Sequence, residues 1–388
     1  MKLNFFVITI IVLLGALSAQ TYGETSVKKF PQQPKVWPTQ GWQENKADPQ
    51  LPTLQALANY LFPSDASRET PIGVQTDGMI IVHGGKIVYE RYREPYHVDK
   101  LHLSWSIAKS FLNALVGIAV KNGVLDIEDP VNDFVPVNVS DLPPIKLVNL
   151  LQMSSGIDWQ ETYENDPYGS NVIAMLFGSG RQDMGAYVAK VNQKYLPGSH
   201  WYYSSGDTNL LSKVLKVALG AKYEDYPWDV LFTPLGMGGV VFEQDGAGTF
   251  IGSSYMYATP RDYARFGFLF LHNGVWEGKQ MLPENWVAFS TSLASGLGPH
   301  SEIDFGNYGA QWWLNKGDKN KGLEVAWSNA PEDMYGAFGH WGQSIVIIPS
   351  LDLVAVRTAN DRDKTFDMNT YLGYLVPFVK ALELEGGQ

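Results

Sequence analysis

Hydrophobic residues are unevenly spread along the chain. At the start, "MKLNFFVITIIVLLGALSAQTYGET" has Lys2 and then an uncharged apolar core from Phe5 to Leu17, followed by small residues. That core is shorter than the roughly 20 residues a membrane-spanning helix needs. It reads as a cleaved export signal over residues 1–23, with an uncleaved anchor as the alternative. Residues 24–50 are polar, carry Pro31, Pro34, Pro38 and Pro49, and show no sustained period. They predict an extended arm, which with a short amphipathic helix from Leu51 to Phe62 occupies residues 24–71. The main domain is expected over 72–388.

Two β-rich runs in "DGMIIVHGGKIVYERY" surround Gly84-Gly85 and predict a hairpin. A helical pattern follows in "LSWSIAKSFLNALVGIAVKNG" and stops at Asn122-Gly123. From about 124 to 254 the windows are mainly helical, among them "IKLVNLLQMSSGIDW", "VIAMLFGS", "MGAYVAKVNQKYL" and "DTNLLSKVLKVALG". Thr259-Pro260 opens a further helix. Strand character returns in "SIVIIPSLDLVAVRT", a hairpin around Pro349 to Asp352, and "NTYLGYLVPFVKALEL" closes the chain as a helix. Strands at both ends with helices between them predict an α+β fold. In it an antiparallel sheet built from the two termini is flanked by helices, and a mostly helical lobe is inserted between its halves.

Composition narrows the function classes. A formal charge of −11, with no basic run longer than Lys28-Lys29, argues against a nucleic-acid partner. The chain has no cysteine, which excludes thiolate catalysis, disulfides and Cys-ligated zinc. After removal of the signal no window is apolar and long enough to span a membrane. Histidines are scattered without metal-ligand spacing, and no P-loop or Gly-x-Gly-x-x-Gly fingerprint appears, so neither a metal nor an organic cofactor is expected.

The chemistry resides in three segments. Ser106 and Lys109 form a Ser-x-x-Lys pair at a helix start, which puts the amine one turn from the hydroxyl on the same face. Unpaired N–H groups of that first turn point toward the reacting centre. On its own the pair is weak evidence. A second copy, Ser26 to Lys29, stands in the arm, and a helix cap with a snorkelling lysine would look the same. "WYYSSGDTNLL" places Tyr203 beside Ser204 and Ser205, where a phenol can share a proton with Lys109. "GAFGHWGQSIVIIP" sets His340 and Trp341 between Gly339 and Gly342, ahead of a strand. The Gln343 N–H is a candidate oxyanion donor beside that of Ser106. The carboxylates of "WQETYENDPYG" read as mostly solvated charges on a loop at the cleft mouth, able to shape specificity.

The order Ser-x-x-Lys, Tyr-x-Ser, then a Gly-flanked triad leading a strand resembles the serine β-lactamase and penicillin-binding-protein superfamily. Its class C-like branch, with esterases, D-amino-acid peptidases and 6-aminohexanoate-dimer hydrolases, is the best match. The resemblance runs from about Gly78 to Leu384 and includes "PGSHWYYSSGDTNLL", "ATPRDYARFGFLFLHNGVWEGKQMLPENWV" and "GNYGAQWWL". It implies an active site between an α/β lobe and a helical lobe, with Ser106 as acylated nucleophile, Lys109 as activator and Tyr203 as proton carrier. Two departures matter. Ser205 stands where the family has an asparagine that can bind a substrate amide. His340-Trp341-Gly342 replaces the Lys-Thr-Gly whose lysine helps hold the β-lactam carboxylate. Both changes favour a small-molecule ester or amide substrate over a β-lactam. Trp312, Trp313 and Trp341 are candidates for an apolar acyl pocket, with core packing the alternative for the Trp312-Trp313 pair. A non-catalytic binding or sensor module on the same fold is the rival class.

Overall fold

Strands from the two ends of the chain meet in one sheet. The computed structural model describes residues 30–64, 72–138, 141–164, 166–299, 301, 306–363 and 365–386, and the expected export signal lies outside them. Its main sheet contains β1 Gln43–Glu44, β2 Thr76–His83, β3 Lys86–Tyr92, β4 Asn307–Tyr308, β5 Trp313–Leu314, β6 Tyr335–Gly339, β7 Gln343–Ile348 and β8 Leu353–Ala359. They pair in the order β1-β3-β2-β8-β7-β6-β5-β4. The predicted hairpins β2–β3 and β7–β8 are both present. They join antiparallel through β2 and β8, with Leu353 opposite His83 and Ala355 opposite Ile81.

Side chains alternate across a strand, so each strand feeds two cores. Met79, Ile81, Val346, Ile348 and Ala355 pack with α1 (Pro52–Leu61) and the C-terminal helix Met368–Gly386. Ile80, Val82, Ile345, Val354 and Val356 face the opposite side, with α2 (Ala108–Lys121) and the helix Pro260–Leu271. A sheet covered on both faces needs apolar residues at every position, which is why "MIIV" and "SIVII" read as continuous runs. The Pro260–Leu271 helix starts as predicted, with the Thr259 hydroxyl accepting the Asp262 N–H. Buried on all sides from Ala108 to Ala119, α2 is the central helix of its core.

Between 124 and 254 the expected helices form as Leu147–Leu151, Asn171–Phe177, Met184–Val188 and Ser205–Leu219. Leu150, Val172, Met175, Leu210 and Val214 join the core around α2. The architecture is α+β.

Two features depart from the patterning. The segment predicted as an extended arm docks on the domain. Its β1 runs parallel to β3, with Gln43 opposite Lys86, while Trp37 and Trp42 set ring centroids 5.7 and 5.5 Å from Phe268. The two-residue strands β4 and β5, too short for any period, complete the other edge. Among the described residues, no helix is long and apolar enough to cross a membrane.

Candidate active site

Ser106 lies in a tight turn, Trp105–Ile107, that runs straight into α2. Ser104 stands at the N-cap position of that turn, but its side chain makes no capping hydrogen bond, and α2 itself starts from Ile107, not from Ser106. The Ser104 hydroxyl donates instead to the Ser254 carbonyl at 2.9 Å. The lead-in His102–Leu103 pairs with Tyr257 and Ala258, which fixes the segment before Ser106 to a second, small sheet.

Lys109 is 1% exposed. Its Nζ lies 3.0 Å from each of three oxygens: Ser106 Oγ, Ser205 Oγ and the Ser253 carbonyl. Burial disfavours the ammonium and lowers its pKa from 10.5 to about 8, against an opposing pull from the Glu161 carboxylate. A lysine in that range is partly neutral near physiological pH and can take a proton. The Tyr203 phenol lies near enough to the Ser106 hydroxyl to feel it. Its ring lies 4.9 Å from Lys109 Nζ and stacks on Trp313 at 5.3 Å. Packing pushes the Tyr203 pKa well up, with the Ser106 bond opposing. The phenol therefore holds its proton and is able to donate it, while Lys109 is the group able to accept one.

The turn carrying His340 is brought onto Ser106 by Gly339, where a side chain would collide with the Ser104 carbonyl. Trp341 and Gly342 both have positive φ, 60° and 88°. The Trp341 and His340 rings lie edge-on to Trp105, with centroids 5.2 and 5.4 Å away. His340 Nε2 is 2.9 Å from the Glu164 carboxylate, so that nitrogen already has a partner. The Gln343 side chain turns inward and is 2% exposed. Its Nε2 donates to the His340 carbonyl and its Oε1 accepts the Ala359 N–H.

The structure thus brings Ser106, Lys109, Tyr203 and the His340–Gln343 turn together, and changes the expectation for three residues. Ser205 does not line the cleft: fully buried beneath Lys109, it accepts from that amine and donates to Glu161 at 2.5 Å. Trp312 is a core residue packed on Phe270 and Tyr335, and Trp313 backs Tyr203.

Sequence reasoning underweighted Glu161. Its carboxylate accepts hydrogen bonds from the Ser205 N–H, the Ser205 hydroxyl, Trp159 Nε1 and the Tyr163 hydroxyl, at 2.5 to 2.9 Å. Tyr163 in turn stacks on His340, with centroids 5.3 Å apart. The only signal in the sequence is an acidic residue flanked by Trp159 and Tyr163.

The sequence profile of the β-lactamase family matches residues 68–375. The chain belongs to the β-lactamase family. Within this family it is 26% identical over 366 residues to the 6-aminohexanoate-dimer hydrolase of Paenarthrobacter ureafaciens, covering 87% of each chain. A similar solved structure is a putative 6-aminohexanoate-dimer hydrolase from Bacillus anthracis. Its TM-score is 0.68 at 21% identity, over 92% of this chain and 90% of that one. EstCE1, a hydrolase with promiscuous acyltransferase activity, has the same fold with a TM-score of 0.60 at 16% identity, over 84% and 97% of the two chains. The β-lactamase fold and these relatives make the chain a serine hydrolase.

Proposed function

We propose that the protein is an exported, carboxylesterase-like serine hydrolase that works through an acyl-serine intermediate. The observation that carries this reading is the buried Lys109 amine 3.0 Å from the Ser106 hydroxyl, with a pKa lowered to about 8. Neutral Lys109 takes the Ser106 proton as Oγ attacks the substrate carbonyl. The backbone N–H groups of Ser106 and Gln343 receive the oxyanion. Tyr203 donates its proton to the leaving oxygen or nitrogen and is reprotonated through Lys109. Water then enters by the same route, and the acid leaves. An ester is the favoured substrate because an alkoxide departs with less protonation than an amine. A β-lactam is disfavoured because the His340 ring is engaged by Glu164.

Hydrolysis of a linear amide dimer is the second reading. It is favoured by the likeness to a 6-aminohexanoate-dimer hydrolase over 87% of both chains. Export is supported by the apolar core from Phe5 to Leu17 behind Lys2.

Parallel turnover of short p-nitrophenyl esters, a linear amide dimer and a chromogenic cephalosporin tests the ordering. Preference for the cephalosporin would overturn it. Intact-mass analysis after treatment with a fluorophosphonate tests the nucleophile: one adduct is expected on the wild type and none on Ser106→Ala. Equal labelling of the two proteins would refute the assignment and favour a binding module.

A further inference from the structure

Beneath the turn that carries His340 and Gln343 lies a buried ion pair that the reaction scheme does not use. Arg357 on β8 has a side chain 0% exposed, and its partner Asp361 is 4% exposed. The contact is bidentate, with Arg357 Nη1 2.6 Å from Asp361 Oδ2 and Nη2 3.0 Å from Oδ1. Nε donates to Thr76 Oγ1 at 2.9 Å, and the guanidinium lies 3.9 Å over the Phe366 ring. The remaining direction of Nη1 leads to the Gly342 carbonyl, 3.0 Å away.

Each carbonyl of the turn is thereby held from below. His340 O accepts Gln343 Nε2, Trp341 O accepts the Asp361 N–H at 3.1 Å, and Gly342 O accepts Arg357. The Gly342 carbonyl and the Gln343 N–H belong to one planar trans peptide unit, in which C=O and N–H point in opposite directions. Fixing the carbonyl toward the buried guanidinium therefore fixes the N–H away from it. The same turn carries the His340 and Trp341 rings, which meet Trp105, the neighbour of Ser106.

We infer that Arg357 is a positioning residue. By gripping the Gly342 carbonyl it aims the Gln343 N–H at the reacting carbonyl oxygen, and Asp361 holds it in that posture. The inference rests on the reading of Gln343 as an oxyanion donor. The grip acts on the peptide that joins two successive residues of positive φ to the first residue of β7, and its carbonyl is the one in the turn that a buried charge holds. A side chain on Gly342 would collide with both Asp361 Oδ2 and Arg357 Nη1, so the fit around the grip is close.

The test is Arg357→Lys, which keeps the charge but cannot hold Asp361 bidentately and reach Gly342 as well. With p-nitrophenyl acetate, kcat is expected to fall about tenfold to a hundredfold while KM stays within about twofold. A purely structural role would not alter the preference for an oxo ester over its thiono analogue, which reports hydrogen bonding to the carbonyl oxygen. That preference is expected to shrink in the variant. Thr76→Val removes the acceptor of Arg357 Nε, loosens the guanidinium without touching the turn, and is expected to show the same signature in weaker form if Arg357→Lys fails to fold. Wild-type kcat and an unchanged oxo/thiono ratio in folded Arg357→Lys would overturn the inference, while Ser106 labelling and ester turnover by the wild type leave the hydrolase reading intact. Absence of both in the wild type overturns the two together.

Discussion

Consider kcat/KM for p-nitrophenyl acetate, corrected for spontaneous hydrolysis and measured from about pH 6 to about pH 10. If Lys109 is the base, only its neutral form is productive. A pKa of about 8 leaves roughly one-tenth of the amine neutral at pH 7 and about nine-tenths at pH 9. The rate should therefore rise nearly tenfold across that interval and level off above it. The same titration appears in stability. Lys109 has a folded pKa below the unfolded value of 10.5, so between about 8 and 10.5 the unfolded chain keeps a proton that the native chain has released. Stability attributable to this group must then rise with pH in that window. Below pH 8 the penalty for burying the ammonium is fully present, about 3 kcal/mol at 1.36 kcal/mol per pKa unit. Relative to Lys109→Met, which has no such proton, the wild type should gain about 2 kcal/mol between pH 8 and about pH 9.5. Urea unfolding of both proteins at the two pH values measures it. A rate profile with its midpoint near about 6.5 would assign the base to a histidine. A flat profile, or an unchanged rise in Lys109→Met, would refute the mechanism outright.

Other outcomes follow from neighbouring residues. Glu161→Gln removes the negative charge that favours the Lys109 ammonium, so the rising limb of the pH–rate profile should move to lower pH. A limb displaced upward would contradict that electrostatic account. Gly206→Ala places a methyl 2.8 Å from the Trp159 ring, whose Nε1 donates to Glu161. It is expected to cost about 1–3 kcal/mol in thermal unfolding and to lower kcat/KM as well. Asp207 is buried, which raises its pKa from 3.8 to about 7, with a bond from the Ser155 hydroxyl opposing. Its contribution is fully present below pH 3.8 and is lost as pH rises through 7, by up to about 4 kcal/mol. Asp207→Asn should remove that pH dependence from the urea midpoint.

The fold was largely legible because burial imposes period. Both hairpins, α2, the Pro260–Leu271 helix and the closing helix come from long apolar runs bounded by Gly, Pro or Asn. The union of the two chain ends follows once each hairpin needs a partner for its inner strand. What could not be read were elements stabilised by contacts rather than by pattern. β1 has two exposed residues and exists because Trp37 and Trp42 dock the arm on Phe268. β4 and β5, also two residues each, pair across a tight connection and bury Tyr308 and Trp313 behind Tyr203. No local propensity signals a strand of that length.

The site divides along the same line. Ser106 and Lys109 share one helical turn, so their 3.0 Å contact follows from local geometry alone. Glu161 meets Ser205 across 44 positions, and nothing in "WQETYENDPYG" separates a carboxylate that folds inward from one left in water. Its neighbour Glu164 shows the difference, keeping 66% of its side chain exposed while it holds His340. The two acids sit three residues apart on one loop: Glu161 reaches Ser205, which accepts from Lys109, and Glu164 reaches His340 in the turn beside Trp105. A loop held at both points cannot shift toward the substrate without disturbing Lys109. Substitutions that loosen the His340–Glu164 contact should therefore register in the pH–rate profile as well as in substrate preference. Glu164→Gln tests that coupling. A profile superimposable on the wild type, with altered ester preference, would mean that the loop tunes specificity independently of the base.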